Sequence, residues 1–145
     1  MGEELVYEAE FSKAVLRKLD IADFRFTAIR MTSRDSRGAP SSSLRLTGDV
    51  ATKGFFSKLF NLRVHQHIES SVDPAAFSVL LTNKLDEQGK RVRVSEAVFD
   101  RTAGRITWTE RDPNHPQQQP RIATASFGGT IQDTVSAIYF LRVQP

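Results

Sequence analysis

The sequence predicts a mainly β protein: a single antiparallel meander, curled into a barrel or half-barrel, with one C-terminal helix packed on its concave face. Three observations predict this fold. Apolar and polar residues alternate with a period of two in about eight short runs. Loops rich in Gly, Pro and Ser separate these runs. From Asp133 the alternation stops, and an apolar helical pattern closes the chain.

The predicted strands each offer one apolar row and one polar row. The clearest runs are ELVYEAEF (4–11), ADFRFTAIRM (22–31), SLRLTGDV (43–50), the segment 62–69, RVRVSEAVF (91–99) and RITWTE (105–110). Side chains two residues apart on a strand point to the same face, so Phe24, Phe26 and Ala28 lie together, opposite Asp23 and Arg25. One face of the sheet is therefore expected to cover a core.

The connections predict tight antiparallel pairing between consecutive strands. LDEQGK (85–90) and FDRTAG (99–104) each carry a Gly late in the loop, as a hairpin with a left-handed residue requires. The VDP at 72–74 ends a strand, because Pro lacks a backbone donor. The segments 33–43 and 112–120 are predicted to be polar loops.

The last predicted element is a helix over Asp133–Arg142, with Asp133 as its N-cap. Apolar side chains occupy nearly all of its sides, which is typical of an enclosed helix. We expect Tyr139 and Phe140 to bury their rings on different sides. We also expect the Tyr139 hydroxyl to have a hydrogen-bond partner, because a buried phenol without one is penalised.

Composition limits the class of protein. The chain has 145 residues, of which 39% are hydrophobic and 26% charged, as expected for one globular domain over residues 1–145. The net charge of +3 is small and its Lys and Arg are scattered, so we expect no nucleic-acid partner. No apolar run is long enough for a transmembrane segment. The absence of Cys excludes disulfides, thiolate nucleophiles and Cys-type zinc sites. We expect a monomer.

The closing segment DTVSAIYFLRVQP resembles a bacterial family known as domain of unknown function 3108. That family carries an Asp-x-x-Ser-x-x-Tyr-x-x-Arg helix, matched here by Asp133, Ser136, Tyr139 and Arg142. The resemblance continues upstream in LVYEAEF, SSVDP and AVFDRTAGRI. It therefore covers nearly the whole chain, and the helix motif is its most specific part.

The resemblance implies a β-rich fold, export to the cell envelope and no assigned activity. Members usually continue past this helix with further strands, so truncation after Pro145 is an open expectation. Met1-Gly2 followed directly by Glu3 is typical of an added start, and we expect a leader to have been removed. The expected location is periplasmic or otherwise extracytoplasmic.

A first candidate ligand-binding region is the aromatic run GFFSKLF (54–60). Phe55, Phe56 and Phe60 lie close together in sequence, beside Lys53 and Lys58. They form either an apolar lip that meets an acyl chain or a membrane surface, or a plug at one end of the barrel. The plug is favoured, because large aromatic residues usually belong to the core.

A second candidate is the helix stripe with Tyr139 and Arg142. A buried guanidinium needs a carboxylate or several carbonyls. Arg142 is therefore either an anion anchor in a pocket, or a structural ion pair or helix-end cation that emerges to water. The second interpretation is favoured, since cations at helix C-termini are common.

A third candidate is a metal site at His65, His67 and Glu69, which lie at alternate positions of one run. The same spacing places them opposite Val64 and Ile68, so the solvent face is the favoured interpretation and we expect no metal. No phosphate loop or Ser-His arrangement is present, and we expect no cofactor.

The functional prediction is a non-catalytic, exported domain that binds an apolar ligand or an envelope partner at a curved sheet. The expected partner is lipid or another envelope protein. The alternative is a purely structural or interaction domain with a filled core. An enzyme ranks lowest, because no acid, base or nucleophile constellation can be assembled.

Overall fold

The computed structural model describes residues 2–13, 16–34, 40–53, 58 and 63–142. Its elements are β1 (Gly2–Lys13), β2 (Leu16–Arg34), β3 (Pro40–Thr52), β4 (Val64–Asp73), β5 (Ser78–Gln88), β6 (Arg91–Asp100), β7 (Arg105–Arg111), β8 (Arg121–Ser126) and α1 (Thr134–Arg142). Within these residues, α1 is the one helix whose two ends are both defined.

The eight strands form one sheet in the order β1 to β8, and every neighbouring pair is antiparallel. β1 and β8 are the two edges, and no pairing joins them in the described part of the chain. The sheet is therefore curled but open, and α1 lies on its concave face. The predicted meander is confirmed, and the half-barrel is the form that the structure adopts.

The turns follow the predicted chemistry. β4 ends at Asp73, directly before Pro74. Gly89 (φ +61°) is the first residue of the two-residue turn between β5 and β6, and Gly104 (φ +57°) is the last residue before β7. Both φ values lie in the left-handed region that glycine adopts without a steric penalty.

One predicted boundary is wrong. The segment 33–43 was expected to be a polar loop, yet β2 continues to Arg34 and β3 begins at Pro40. Thr32 pairs with Ser42, and Met31 with Ser43. Backbone pairing in this hairpin does not depend on apolar side chains, so the polar composition of its arms misled the prediction.

The core lies between the concave face and α1. Its buried apolar members come from β2, β3, β4, β5 and α1: Phe26, Leu46, Val72, Val79, Val135 and Tyr139. In register, Ala28 pairs with Leu46 and Leu46 with Ser70, so alternate positions of neighbouring strands share this face. The alternation in the sequence identified the correct face of β2, β3 and β4.

Candidate functional site

The first turn of α1 is held by Asp133. Its Oδ1 accepts the Ser136 backbone N–H at 2.8 Å, and its own N–H donates to Ser136 Oγ at 2.9 Å. This reciprocal arrangement satisfies two N-terminal donors of the helix, which confirms the predicted N-cap. The hydroxyls of Ser70 in β4 and Thr82 in β5 donate to Asp133 Oδ2. One carboxylate therefore caps the helix and fixes its start on the sheet.

The N-terminal half of α1 packs directly on β3. Val135 is buried there, and a Cβ at Gly48 would lie 2.9 Å from its Cγ2 and 3.2 Å from Phe26 Cε1. Only a residue without a side chain permits this approach of helix and sheet. The concave face is thus filled under the first turns of α1.

The C-terminal half of α1 borders a cleft instead of a filled interface. The cleft has a volume of about 510 Å³ and lies at one end of the sheet, where β1 and β3 start and β2 ends. Its lining residues are Gly2, Glu3, Ala28, Arg30, Leu44, Phe77 and Tyr139. Apart from Glu3 and Arg30, these residues present apolar groups or backbone, so the cleft is an apolar space with charged groups at two positions.

Tyr139 forms one wall of the cleft and is only 5% exposed. Its hydroxyl is buried and has no hydrogen-bond partner among the described residues, so the expected partner is not there. Burial raises the pKa of Tyr139 above its ordinary value of 10.0, and the negative charge of Glu3 raises it further. The sequence prediction assumed that a buried phenol is satisfied within the protein, which is the usual but not the necessary arrangement.

Phe77 forms another wall and has a φ of +46°, in the left-handed region that bulky residues rarely adopt. The segment before α1 holds it there. The Gln132 side-chain amide donates to the Phe77 carbonyl, and Val79 N–H donates to the Ile131 carbonyl at 3.0 Å. The Phe77 ring packs on Phe140, with centroids 5.9 Å apart. Residues held in such conformations concentrate at ligand sites.

Arg142 extends from the end of α1 to β1, where its Nη1 lies 2.8 Å from Glu3 Oε1. Both side chains are about half exposed. The ion pair that was favoured from the sequence is therefore present, and Arg142 is not buried in a pocket. An exposed pair of this kind contributes about 0–1 kcal/mol to stability.

The helix is enclosed on one side only, which corrects the expectation of burial all round. Val135, Ser136 and Tyr139 are buried against the sheet, whereas Leu141 is 72% exposed and Phe140 is partly buried. The physical reason is the open sheet, because a half-barrel covers one face of a helix and leaves the other to solvent.

Arg30 completes the cleft and was not singled out from the sequence. It is exposed, lines the cleft beside Leu44, and makes no ion pair or hydrogen bond with the described residues. A signal was nevertheless available: Phe24, Phe26 and Ala28 face the core, and the next position in that row is a cation. Glu3 is the corresponding charged position before Leu5 in β1.

His65 and His67 lie on the face opposite α1, and Asp49 lies near both of them, with its Oδ1 3.8 Å from His65 Nε2. His65 Nδ1 is 2.7 Å from Glu87 Oε2, and His67 Nδ1 is 2.7 Å from Asp49 Oδ1. Glu69 pairs with Arg45 instead. No group of three or more potential metal ligands comes together in the part of the chain that the structure describes.

The predicted aromatic lip at Phe55, Phe56 and Phe60 lies outside the described residues. Of its flanking cations, Lys58 is exposed, and Lys53 Nζ contacts Asp23 Oδ1 at 2.6 Å and Glu8 Oε1 at 3.1 Å. The hydrogen bonds that Lys53 donates to Asp23 and Glu8 raise its pKa. Lys53 is therefore held by neighbouring strands of the sheet.

Comparison with known families decides the relationship that the closing helix suggested. The model of the family described as protein of unknown function (DUF3108) matches residues 16–144. The chain belongs to the DUF3108 family. The match includes Asp133, which caps α1, the whole of α1, and seven of the eight strands in full. The matched region is therefore the part of the half-barrel from β2 to α1, and the family description gives no function.

Among curated proteins, this DUF3108 chain is similar to glucose-6-phosphate 1-dehydrogenase 1 of Mycobacterium bovis and of Mycobacterium tuberculosis. Each match is 27% identical over 105 residues, covering 69% of this chain and 22% of the relative. The chain therefore spans about a fifth of the length of these relatives. No solved structure matches the chain. No helix in the described part of it is both long and apolar enough to cross a membrane.

Proposed function

We propose that this domain is a non-catalytic binding protein that holds a small, largely apolar ligand in the cleft beside Tyr139. The volume and the apolar lining of the cleft are the main support for this function. Its volume of about 510 Å³ lies within the range of roughly 300–1,000 Å³ that is typical of ligand sites. Ala28, Leu44 and Phe77 supply apolar walls, as such sites usually have.

Two further features support a binder over a domain whose interior is merely filled. The N-terminal half of α1 packs closely on Gly48, so this sheet can pack against a helix without leaving a cleft. The C-terminal half borders the cleft, whose walls include the strained Phe77 between β4 and β5. They also include Tyr139, whose buried hydroxyl has no partner among the described residues. A strained backbone conformation and an unsatisfied buried hydroxyl are both energetically unfavourable, and such features are commonly retained at functional sites.

The charged groups of the cleft support a non-catalytic role. A side chain that acts as a nucleophile is commonly activated by a neighbouring general base. Glu3 is paired with Arg142, and the Tyr139 hydroxyl has no such partner among the described residues. The dehydrogenase activity in the relatives' name is not transferred, because the matches cover about a fifth of those enzymes and this chain has no G-x-G-x-x-G segment.

The proposal includes an extracytoplasmic location, a monomeric state, and lipid or another envelope protein as the source of the ligand. The location rests on the resemblance noted in the sequence. Fractionation of cells that produce the whole protein tests it, and a cytoplasmic pool would contradict it. Size-exclusion chromatography with light scattering tests the monomer.

The binding proposal is tested with an apolar fluorescent probe, phenylnaphthylamine, and with two substitutions on the same strand. Ala28→Phe fills the cleft, whereas Ile29→Phe adds the same ring at the neighbouring position, which is exposed and faces away from α1. We expect probe binding in the wild type and in Ile29→Phe, and loss of about tenfold or more in affinity in Ala28→Phe. Leu44→Trp is a second filling variant, and thermal melts establish that each variant is folded.

Absence of probe binding to the wild type would refute the proposal, as would undiminished binding to both folded filling variants. Mass spectrometry of lipids that co-purify with the protein from its native source identifies the bound class. Co-purification with wild type and with Ile29→Phe, but not with Ala28→Phe, is the expected pattern.

A further inference from the structure

The charges at the cleft are unbalanced. Glu3 supplies the negative charge of the lining, and Arg142 neutralises it at 2.8 Å. Arg30 supplies a second guanidinium, and none of the described residues pairs with it. The cleft therefore offers one positive charge in excess, carried by a group whose planar donors suit a carboxylate.

Tyr139 lines the same cleft with its ring. Its side chain is at least nine-tenths buried, and its hydroxyl is closed off from solvent without a partner among the described residues. A ligand in the cleft therefore meets the apolar part of Tyr139, and Arg30 is the charged donor that it can reach.

We propose that the cleft selects a single-chain amphiphile with a monoanionic carboxylate head, of the fatty-acid type. The apolar tail lies against Leu44, Phe77 and the Tyr139 ring. The head receives hydrogen bonds from the Arg30 guanidinium. This inference rests on the proposed binding function and adds the chemistry of the ligand to it.

Size and charge exclude the main competitors. A volume of about 510 Å³ suits one drug-sized molecule, and hence one acyl chain better than a two-chain lipid. A dianionic head is disfavoured, because Arg30 is the single uncompensated cation of the lining and Glu3 lies in the same wall.

The test compares decanoate with decanol, two ligands with the same chain and different heads. Both are titrated by displacement of phenylnaphthylamine, below their aggregation limits and at a pH well above the pKa of the acid. We expect the wild type to bind decanoate about tenfold or more tightly than decanol, since hydrogen bonds to a charged group are worth more than neutral ones.

Two arginines of β2 provide the variant and its matched control. Arg30→Gln removes the guanidinium at the cleft and is expected to lose the preference for decanoate over decanol. Arg25→Gln removes an equal charge on the opposite face, where Arg25 pairs with Glu4, and is expected to keep the wild-type preference. Tyr139→Phe is expected to keep the wild-type preference, because the hydroxyl that it removes is closed off from the cleft.

Equal binding of both ligands by the wild type would overturn the carboxylate inference and leave the apolar site standing. Loss of the preference in Arg25→Gln as well would also overturn it, because general charge rather than Arg30 would then be responsible. Failure of either ligand to displace the probe, or failure of the probe to bind, would overturn the proposed function itself.

Discussion

Tyr139→Phe is expected to stabilise the protein. The substitution removes the hydroxyl and keeps the ring that packs in the core between α1 and the sheet. The hydroxyl is buried and makes no hydrogen bond within the described part of the chain, so its removal breaks no contact there. Removal of the hydroxyl also removes the free-energy cost of burying a polar group that has no hydrogen bond.

The expected magnitude follows from that cost. Burying a polar group without a partner costs about 1–3 kcal/mol, and the ring of Phe fills the same space. We expect Tyr139→Phe to raise the free energy of unfolding by about 1 kcal/mol, which is a rise of about 2–4 °C in Tm for a chain of this size. Tyr139→Ala, by contrast, removes the ring and should lower the free energy of unfolding by about 3–5 kcal/mol.

The dependence on pH provides an independent readout. Because the folded-state pKa of Tyr139 is raised, the neutral phenol is favoured in the folded protein. Its contribution to stability is therefore complete below the ordinary pKa of 10.0 and falls as the pH rises through the folded value. The difference in the free energy of unfolding between Tyr139→Phe and the wild type should therefore increase as the pH rises above 10.0.

Urea denaturation of the wild type and the variant, with Tyr7→Phe as control, measures the effect. Tyr7 is the other tyrosine of the chain and is 51% exposed, so its hydroxyl has no burial cost to relieve. We expect a higher denaturation midpoint for Tyr139→Phe, with an unchanged slope, and no shift for Tyr7→Phe. A loss of stability of 1 kcal/mol or more in Tyr139→Phe would refute the reasoning, because it would reveal a partner for the hydroxyl.

Three further predictions concern the interface of α1 and the opposite face. Gly48→Ala should lower the free energy of unfolding by about 1–2 kcal/mol in urea denaturation, because the new Cβ crowds α1. Gly128→Ala is the control, because a Cβ there would have no heavy atom within 4 Å. Equal denaturation midpoints for the two variants would contradict the close packing at Gly48. Asp133→Ala should cost about 2–5 kcal/mol by the same measurement, since it removes the helix cap and leaves buried hydroxyls without their acceptor; a cost under 1 kcal/mol would argue against this anchor. His65→Ala and His67→Ala should each change stability by about 1 kcal/mol or less, as partly exposed ion pairs do, and stoichiometric zinc that survives dialysis and is lost in either variant would overturn that view.

The sequence by itself determined the local structure of this protein. Alternation assigned Phe26 and Leu46 to the core face, and the glycines at positions 89 and 104 marked turns that need a left-handed residue. Asp133 marked the start of the helix. These features depend on a few neighbouring residues, whose backbone preferences and side-chain directions are set locally.

The tertiary structure alone decided the site. Whether the sheet closes, how far α1 is covered, and which end of it borders a cleft all depend on how distant strands are placed. Arg30 has no ion-pair partner among the described residues, since Glu3, at the other end of the chain, pairs with Arg142. The Tyr139 hydroxyl likewise has no partner among these residues. Hydrogen bonds and charges at a site are satisfied or left open by long-range contacts, which local pattern does not encode.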